Sequence, residues 1–275
     1  MLSKCYIKDL LVKHSNISVS SKLSILSNIL SLPKEKILVY EKELSHRNIQ
    51  LFESKCQDLL SGVPIEYVIN HSPFYFLDLY ITKDVLIPRP ETEHLVDIIL
   101  KSGIKPINIL EIGTGSGAIS IALSKNLPKK ITSKFLSIDI SSKALKIAKL
   151  NAKKNLVDNI TFKEVGIKDL KNNELFDLIV SNPPYINTKA IRYLQSSVKQ
   201  YEPVLALDGG KDGLDIVRDI LNFSKTHLSK DGVIYLEINS KRQYESIKKE
   251  FKSTFKTIKL LQDQYGRYRY IFAKK

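Results

Sequence analysis

The sequence predicts an α/β protein whose doubly wound sheet has seven mostly parallel strands and an antiparallel closing edge. Short apolar runs alternate with helical patterns from residue 107 onward, which is typical of βαβ units and a parallel sheet. The last two runs follow each other without a helix between them, so they predict an antiparallel pair. Residues 1–62 instead carry apolar residues at helical spacing, as in Leu23, Leu26 and Leu30, which predicts a small all-α domain ahead of the sheet.

Between these parts, residues 63–87 change to an alternating pattern that predicts a β-hairpin linker with a turn at Leu77–Asp78. The apolar residues of that alternation are Phe74, Phe76, Leu79 and Ile81. We therefore expect a helical domain over 1–62, a hairpin linker over 63–87 and an α/β domain over 88–275.

Each element of the α/β domain follows from a local pattern. The runs that predict strands are residues 107–112, 135–139, 160–165, 176–181, 232–238, 255–260 and 267–272. Helical patterns begin near residues 92, 118, 144, 214 and 244. Pro88 and Pro90 fix an extended segment before the first of these helices. Arg89 and Glu91, beside those prolines, form a buried polar pair or face a ligand, and the sequence leaves both open.

The composition limits the class of protein. The chain has 275 residues, a formal net charge of +14 and two cysteines. The excess lysines are scattered, so we favour an AT-rich coding sequence over a nucleic-acid surface as their origin. Cys5 and Cys56 lie far apart without metal-ligand spacing, so neither a zinc site nor a disulfide is expected. The sequence shows no membrane-spanning run and no cleavable signal pattern, which predicts a cytoplasmic protein.

A glycine-rich loop follows the first strand of the α/β domain. Gly113, Gly115 and Gly117 stand between that strand and a helix, the context in which a glycine pattern predicts a nucleotide site. Without β-carbons, a ligand can approach the backbone and the helix N-terminus. The loop lacks the Lys-Ser/Thr of a P-loop, so a triphosphate site is not expected.

Asp139 ends the second strand, beside the glycine loop. A carboxylate there can accept hydrogen bonds from both ribose hydroxyls of an adenosyl ligand. It could instead cap the following helix, although Ser141 can supply that cap itself.

The segment Asn182-Pro183-Pro184-Tyr185 follows the fourth strand. Two prolines hold Asn182 extended at the end of a buried strand, where open α/β sheets bind ligands. The Asn182 side-chain oxygen and the Pro183 carbonyl can accept both N–H bonds of a planar NH2 group, and the Tyr185 ring offers a flat surface. The alternative is a turn that only ends the strand.

Together these residues resemble a class I S-adenosylmethionine-dependent methyltransferase acting on a planar nitrogen. The segments at 87–93 (Ile-Pro-Arg-Pro-Glu-Thr-Glu) and 202–210 (Glu-Pro-Val-Leu-Ala-Leu-Asp-Gly-Gly), with the helical N-terminal domain, are similar to peptide chain release factor glutamine methyltransferases. The resemblance implies methyl transfer to the amide nitrogen of the glutamine in the Gly-Gly-Gln motif of release factors, with S-adenosylhomocysteine as product. It also implies that the helical domain docks the substrate.

The resemblance assigns the site residues. Those expected to bind the cofactor are Glu111, Gly113, Thr114, Gly115, Ser116, Gly117, Asp139 and Asn182. Those expected to bind the substrate are Asn182, Pro183, Pro184 and Tyr185, and Asn182, Pro183 and Tyr185 are the expected catalytic residues. No metal is expected, the protein partners are release factors, and we expect a monomer that binds neither a membrane nor nucleic acid directly.

Three positions depart from the family pattern. Gly166 and Ile167 stand where an acidic residue and an adenine-packing aromatic are usual, which either lowers cofactor affinity or lets Ile167 supply the apolar contact. Asn239 stands where glycine is usual. Two other functions remain: methylation of an exocyclic amine on a flipped nucleic-acid base, and a binding protein on a methyltransferase scaffold.

Overall fold

The computed structural model describes residues 5–128, 130, 132–171 and 173–275. Residues 1–4 of the predicted helical domain lie outside this range. The chain divides into two compact units: the first takes in the described residues up to His71 together with Ser196–Tyr201, and the second takes in Ser72–Gln195 and Glu202–Lys275. None of the described helices is long and apolar enough to cross a membrane.

The helices of the described residues are α1 (Ile7–Val12), α2 (Val19–Leu30), α3 (Lys34–Leu38), α4 (His46–Leu60), α5 (Ile65–Ile69), α6 (Pro90–Lys101), α7 (Ala118–Asn126), α8 (Ser142–Lys154), α9 (Ser196–Tyr201), α10 (Asp215–His227) and α11 (Lys241–Phe251). The strands are β1 (His71–Phe74), β2 (Leu77–Tyr80), β3 (Asn108–Ile112), β4 (Lys134–Asp139), β5 (Ile160–Glu164), β6 (Phe176–Ser181), β7 (Leu228–Glu237), β8 (Thr257–Gln262) and β9 (Tyr268–Lys274).

The first unit is helical, as predicted. Its core contains Leu10, Ile25, Ile37 and Phe52, all fully buried. The serine side chains at the N-termini of α2 and α4 accept a hydrogen bond from the first turn of each helix. Within the same unit, α9 is held by a hydrogen bond from the Tyr201 hydroxyl to the carbonyl of Ser61, at 2.8 Å.

The second unit is built on a seven-stranded sheet with the order β5-β4-β3-β6-β7-β9-β8. The strands from β5 to β7 are parallel, whereas β9 is antiparallel to both β7 and β8. The predicted seven-stranded sheet with an antiparallel edge is therefore confirmed. The chain moves outward from β3 to β4 and β5, then returns to β6 on the other side of β3, so a topological switch point lies between β3 and β6.

Burial explains why the central strands are mostly apolar. Four of the five residues of β3 and five of the six of β6 are buried, because helices cover both faces of a parallel sheet. The edge strand β5 shows no fully buried residue and alternates with charged side chains. The buried strands β3 and β6 thus form the centre of the sheet, and their packing fixes where each of them ends.

The hairpin forms, but its predicted turn is wrong. Tyr75 and Phe76 are the turn residues, with φ of 45° and 62°, and Leu77 begins β2. The Leu77 side chain is 5% exposed whereas Phe76 is fully exposed, so the pairing that buries Leu77 shifts the turn two residues earlier. Asn151 of α8 exchanges two hydrogen bonds with the backbone of Tyr80, which anchors β2.

The predicted linker also contains α5, which the alternating pattern did not predict. Pro64 precedes this short helix, and Asn70 ends it in the left-handed conformation with φ of 53°. The assignment of separate domains to 1–62, 63–87 and 88–275 stays a prediction.

Candidate active site

A cavity of about 360 Å³ lies at the carboxyl ends of β3, β4, β5 and β6. This is the edge of the sheet at which the switch point occurs and at which open α/β sheets bind ligands. The predicted site residues that line it are Glu111, Gly113, Thr114, Gly115, Ser116, Asp139, Asn182 and Pro184. The structure therefore gathers most of the predicted residues, from the ends of three strands, around one space.

The glycine loop is held by the neighbouring strand. The backbone N–H groups of Gly113 and Thr114 both donate to the carbonyl of Ile138 in β4, at 2.9 and 3.0 Å. Gly113 and Gly115 have positive φ, and a β-carbon at either position would meet no atom within 4 Å. The left-handed backbone, together with open space beside it, leaves both residues accessible to a ligand.

Gly117 does not line the cavity. A β-carbon at this residue would lie 2.9 Å from Cδ1 of Ile121 and 3.3 Å from Ala148, so glycine allows α7 to pack closely on α8. Its φ of 83° also requires glycine at the start of α7. The structure thus gives Gly117 a packing role, and its contact with a cofactor stays a prediction.

Glu111 lies at the end of β3 with 1% of its surface exposed. Its Oε2 accepts hydrogen bonds from the Thr114 hydroxyl at 2.6 Å and from the Ser137 hydroxyl at 3.1 Å. Burial raises the pKa of this carboxyl to about 7, because the charged form loses its hydration. Glu111 connects the glycine loop to β3 and β4 and also lines the cavity.

Asp139 is bound to the glycine loop. One carboxylate oxygen accepts the N–H of Gly115 at 2.9 Å, and the other accepts the N–H of Ser141 at 2.9 Å. The Ser141 hydroxyl caps α8 through the N–H of Ala144, so the cap comes from the serine. Burial raises the pKa of Asp139. Each carboxylate oxygen keeps a further acceptor position for a ligand, and the ribose contact remains a prediction.

Asn182 follows β6 and lines the cavity. Its Nδ2 donates to Oγ1 of Thr92 at 2.9 Å. The preceding residue, Ser181, is buried and donates its hydroxyl proton to the carbonyl of Ile112 at 2.6 Å, which holds the end of β6 against β3. The hydrogen bond to Thr92 therefore orients the Asn182 side chain, and the Ser181 hydrogen bond fixes the strand end that carries it.

Tyr185 and Pro183 are not among the residues that line the cavity. The Tyr185 hydroxyl donates to Oε1 of Glu237 at 3.1 Å, and burial raises the pKa of this phenol. Pro183 is buried, and neither residue lines the cavity. Contact of the Tyr185 ring or the Pro183 carbonyl with a substrate therefore stays a prediction.

The backbone of this segment is clamped by the loop that follows Glu202. Ile186 donates to the carbonyl of Leu207 at 3.0 Å, and Gly209 donates to the carbonyl of Ile186 at 2.8 Å. From α11, Nε2 of Gln243 donates to the carbonyl of Tyr185 at 2.9 Å. Residues 202–210 thus take part in the site by fixing the chain after Asn182.

Arg89 lines the cavity and forms an ion pair with Glu202, whose side chain is 2% exposed. Glu91 pairs instead with Arg267, at 3.2 Å. Arg89 and Glu91 thus each have a different ion partner, and Arg89 does face the ligand space. The sequence did not indicate either partner because both lie more than a hundred residues away.

Apolar residues line the cavity just after the carboxyl end of β5. Val165, Gly166 and Ile167 line it, and a β-carbon at Gly166 would lie 3.4 Å from Cγ2 of Ile140. Ile140 is 55% exposed, which is high for an apolar residue in a cavity wall. Ile140 and Ile167 both offer apolar surface to the cavity, and the substitution of Ile167 for an aromatic contact stays a prediction, as does a lowered cofactor affinity. Asn239 has no positive φ, so its position does not require glycine.

Two residues of the site were not singled out by the sequence: Thr92 and Glu237. Glu237 ends the buried strand β7, so it carries the same signal as Glu111 and Asp139, an acid at the carboxyl end of an apolar run. The described residues contain no cluster of three or more His, Cys, Asp or Glu that could hold a metal ion.

The fold and the cavity define the class of protein. A family model described as "Methyltransferase domain" matches residues 105–273. A methyltransferase from Pyrococcus furiosus has a similar fold, with a TM-score of 0.54 at 22% identity over 72% of this chain and 89% of that chain. The protein is a class I methyltransferase.

Curated relatives narrow the class. The release factor glutamine methyltransferase of Flavobacterium psychrophilum is 41% identical over 85% of this chain and 84% of its own length. That of Thermodesulfovibrio yellowstonii is 31% identical over 93% of this chain and 92% of its own length. The chain belongs to the release factor glutamine methyltransferase family.

Proposed function

We propose that this protein transfers a methyl group from S-adenosylmethionine to the side-chain amide nitrogen of the glutamine in the Gly-Gly-Gln motif of peptide chain release factors. The observation that carries the proposal is the place of Asn182. Asn182 lines the same cavity as the glycine loop and Asp139, and its side-chain nitrogen donates to Thr92. A hydrogen-bond acceptor is thereby offered to an NH2 group at the cavity that would hold the methyl donor.

The residues of the cavity fit an adenosyl cofactor. Gly113 and Gly115 present backbone without side chains, and Asp139 keeps acceptor positions for a ribose diol. Ile140 and Ile167 supply apolar surface for a flat base. The volume is within the usual range for ligand pockets, roughly 300–1,000 Å³. When bound, S-adenosylmethionine supplies an electrophilic methyl group on a sulfonium.

The chain's own residues act on the amide. An amide nitrogen is a poor nucleophile because its lone pair is shared with the carbonyl, so orientation matters more than a strong base. Asn182 Oδ1 and the Pro183 carbonyl accept the two N–H bonds, which directs the nitrogen and makes it more electron-rich. With the methyl donor bound, the amide nitrogen would take the methyl group, S-adenosylhomocysteine would leave, and the nitrogen would then lose a proton to water.

The rest of the chain completes the proposal. We assign substrate docking to the helical unit of the first 62 residues, with the release factor as protein partner. Because release factors act at the ribosome, we place the enzyme in the cytoplasm, as a monomer that binds neither a membrane nor nucleic acid directly.

The test is to incubate the protein with isotopically labelled S-adenosylmethionine and, separately, with a release factor, tRNA, rRNA and DNA, and to locate the label by mass spectrometry. Label on the glutamine of the Gly-Gly-Gln motif is the expected result. Label on a nucleic-acid base would overturn the proposal in favour of an exocyclic-amine methyltransferase. Cofactor binding without any transfer would instead indicate a binding protein on a methyltransferase scaffold.

A further inference from the structure

Four side chains from distant parts of the sequence form one hydrogen-bonded group beside the cavity. The Thr92 hydroxyl at the start of α6 lies 2.9 Å from Oε2 of Glu237 and 2.9 Å from Nδ2 of Asn182. The Tyr185 hydroxyl lies 3.1 Å from Oε1 of the same glutamate. Glu237 is 1% exposed and Thr92 is 5% exposed, so bulk water has little access to the bond between these two residues.

The direction of each bond follows from the chemistry of the groups. An ionised carboxylate can only accept, so the single proton of the Thr92 hydroxyl goes to Glu237. The Thr92 oxygen can then only accept from its other neighbour, and that neighbour must present a donor. The NH2 end of Asn182 therefore faces Thr92. The opposite orientation would set two oxygens against each other with no proton between them.

The consequence is that the Asn182 oxygen faces away from Thr92. In the hydrogen bonds of the described residues, Oδ1 of Asn182 takes no partner, and the residue lines the cavity. A fixed acceptor at that place binds a group that carries hydrogens and repels another oxygen. The orientation of the carboxamide thus decides between an amide NH2 and an oxygen of the same shape.

We propose that Glu237 and Thr92 are positioning residues that lock the carboxamide of Asn182 with its oxygen toward the substrate, and that this lock makes the site select glutamine over glutamate. The inference rests on the proposed function and extends it to the source of its specificity. Tyr185 belongs to the same hydrogen-bonded group, because its hydroxyl donates to the second oxygen of Glu237 and so favours the ionised carboxylate, which only accepts.

The test compares Thr92→Val with Thr92→Ser. Valine keeps the shape and removes the hydroxyl, whereas serine keeps the hydroxyl. We expect Thr92→Val to lower kcat on a release factor by about 10²-fold, the usual effect of misplacing a reacting group. The affinity for S-adenosylhomocysteine should stay within about two-fold, and Thr92→Ser should retain most of the activity. Ser229→Ala is the matched control, since it also removes a hydroxyl bonded to a carboxylate, that of Asp177. This pair lies near the N-terminal ends of β6 and β7, away from the carboxyl ends that carry the cavity.

A second readout separates positioning from mere structural support. The dissociation constants of two release factors, with glutamine or glutamate in the Gly-Gly-Gln motif, are measured in the presence of S-adenosylhomocysteine. Wild type should prefer glutamine, and Thr92→Val should bring the ratio close to one. Normal kcat and an unchanged ratio in Thr92→Val would overturn the inference. Absence of any transfer by the wild type would instead overturn the proposed function.

Glu237→Gln keeps the test decisive if Thr92→Val does not fold. A glutamine at 237 can donate its NH2 to Thr92, which frees the threonine proton for Asn182 and turns that carboxamide around. We expect the same loss of glutamine preference in a folded variant, with folding checked by thermal denaturation. A variant with a lowered Tm and an intact preference would show a structural role only, and would contradict the inference.

Discussion

Gly213 lies against the carbonyl of Tyr185 so closely that a β-carbon at 213 would stand 2.3 Å from that oxygen. The contact presses the loop after Asp212 onto the segment that carries Asn182. Because backbone atoms meet backbone atoms here, a side chain cannot be accommodated by a change of rotamer. The position of the site segment therefore depends on a glycine outside it.

Gly213→Ala should displace the segment 182–185 and lower methyl transfer by about 10²-fold. The control is Gly266→Ala, because Gly266 has nearly the same φ (76° against 77°) but open space around its α-carbon. The left-handed backbone should cost both variants about 1–2 kcal/mol of unfolding free energy, and the close contact with Tyr185 should lower the stability of Gly213→Ala further. Equal activity of the two variants would show that the close contact does not matter. Activity and urea denaturation are the measurements.

Asn182→Ala should abolish detectable methyl transfer while leaving cofactor affinity nearly unchanged. The substitution removes the acceptor for the substrate NH2 but leaves the glycine loop and Asp139 intact. Isothermal titration with S-adenosylhomocysteine and a transfer assay on a release factor separate the two effects. Asn126→Ala is the control, since that side chain donates within α7, to the carbonyl of Ala122. Near-normal turnover in Asn182→Ala would refute the role assigned to the residue.

Asp139→Asn should weaken cofactor binding by roughly 10–100-fold, the loss expected when a charged hydrogen-bond acceptor becomes neutral. An asparagine cannot accept from both Gly115 and Ser141, so one backbone N–H would face its NH2 group. The matched control is Asp177→Asn, because Asp177 also accepts two backbone N–H bonds, from Ile107 and Asn108. The control should bind the cofactor as tightly as wild type. Equal affinities in both variants would contradict a ligand role for Asp139.

Methyl transfer should rise as the pH increases through about 7, because Glu237 must be ionised to accept from both Thr92 and Tyr185. Burial raises the pKa of Glu237 to about 7, hydrogen bonds from those two hydroxyls and the charge of Arg269 oppose the rise, and Glu91 adds to it. Glu237→Gln should remove this step from the pH profile of kcat. A wild-type profile that is flat from pH 6 to 8 would argue against an ionised Glu237 in the working enzyme.

Stability should depend on pH through Glu111. Its pKa is raised from 4.5 to about 7 in the folded protein, so between these values the folded state holds more protons than the unfolded state. Stability therefore falls as the pH rises through this window, by up to about 3 kcal/mol for this group. The unfolding free energy of Glu111→Gln, measured by urea denaturation, should fall less steeply between pH 4.5 and 7. Parallel curves for the two proteins would show that Glu111 does not titrate this way.

Much of the fold was predictable because its signals are local. The strand-glycine-helix unit at 107–123, the acid at 139 and the prolines after Asn182 each constrain their own neighbourhood, so the order of elements and the edge of the sheet that carries the site follow from short segments. The turn at Leu77–Asp78 was predicted incorrectly because alternation gives the faces of a strand but not the pairing that buries Leu77.

The sequence by itself determined the seven-stranded α/β fold, the glycine loop and the strand ends at which Asp139 and Asn182 stand. Only the tertiary structure decided which partners orient them: Thr92 for Asn182, 90 residues away, and Glu237 for Thr92, 145 residues away. Periodicity reports burial within an element, whereas a hydrogen bond between distant polar groups leaves no repeat in the chain. Such bonds form because burial penalises any polar group that lacks a partner, and which groups meet is set by the packing of the whole sheet.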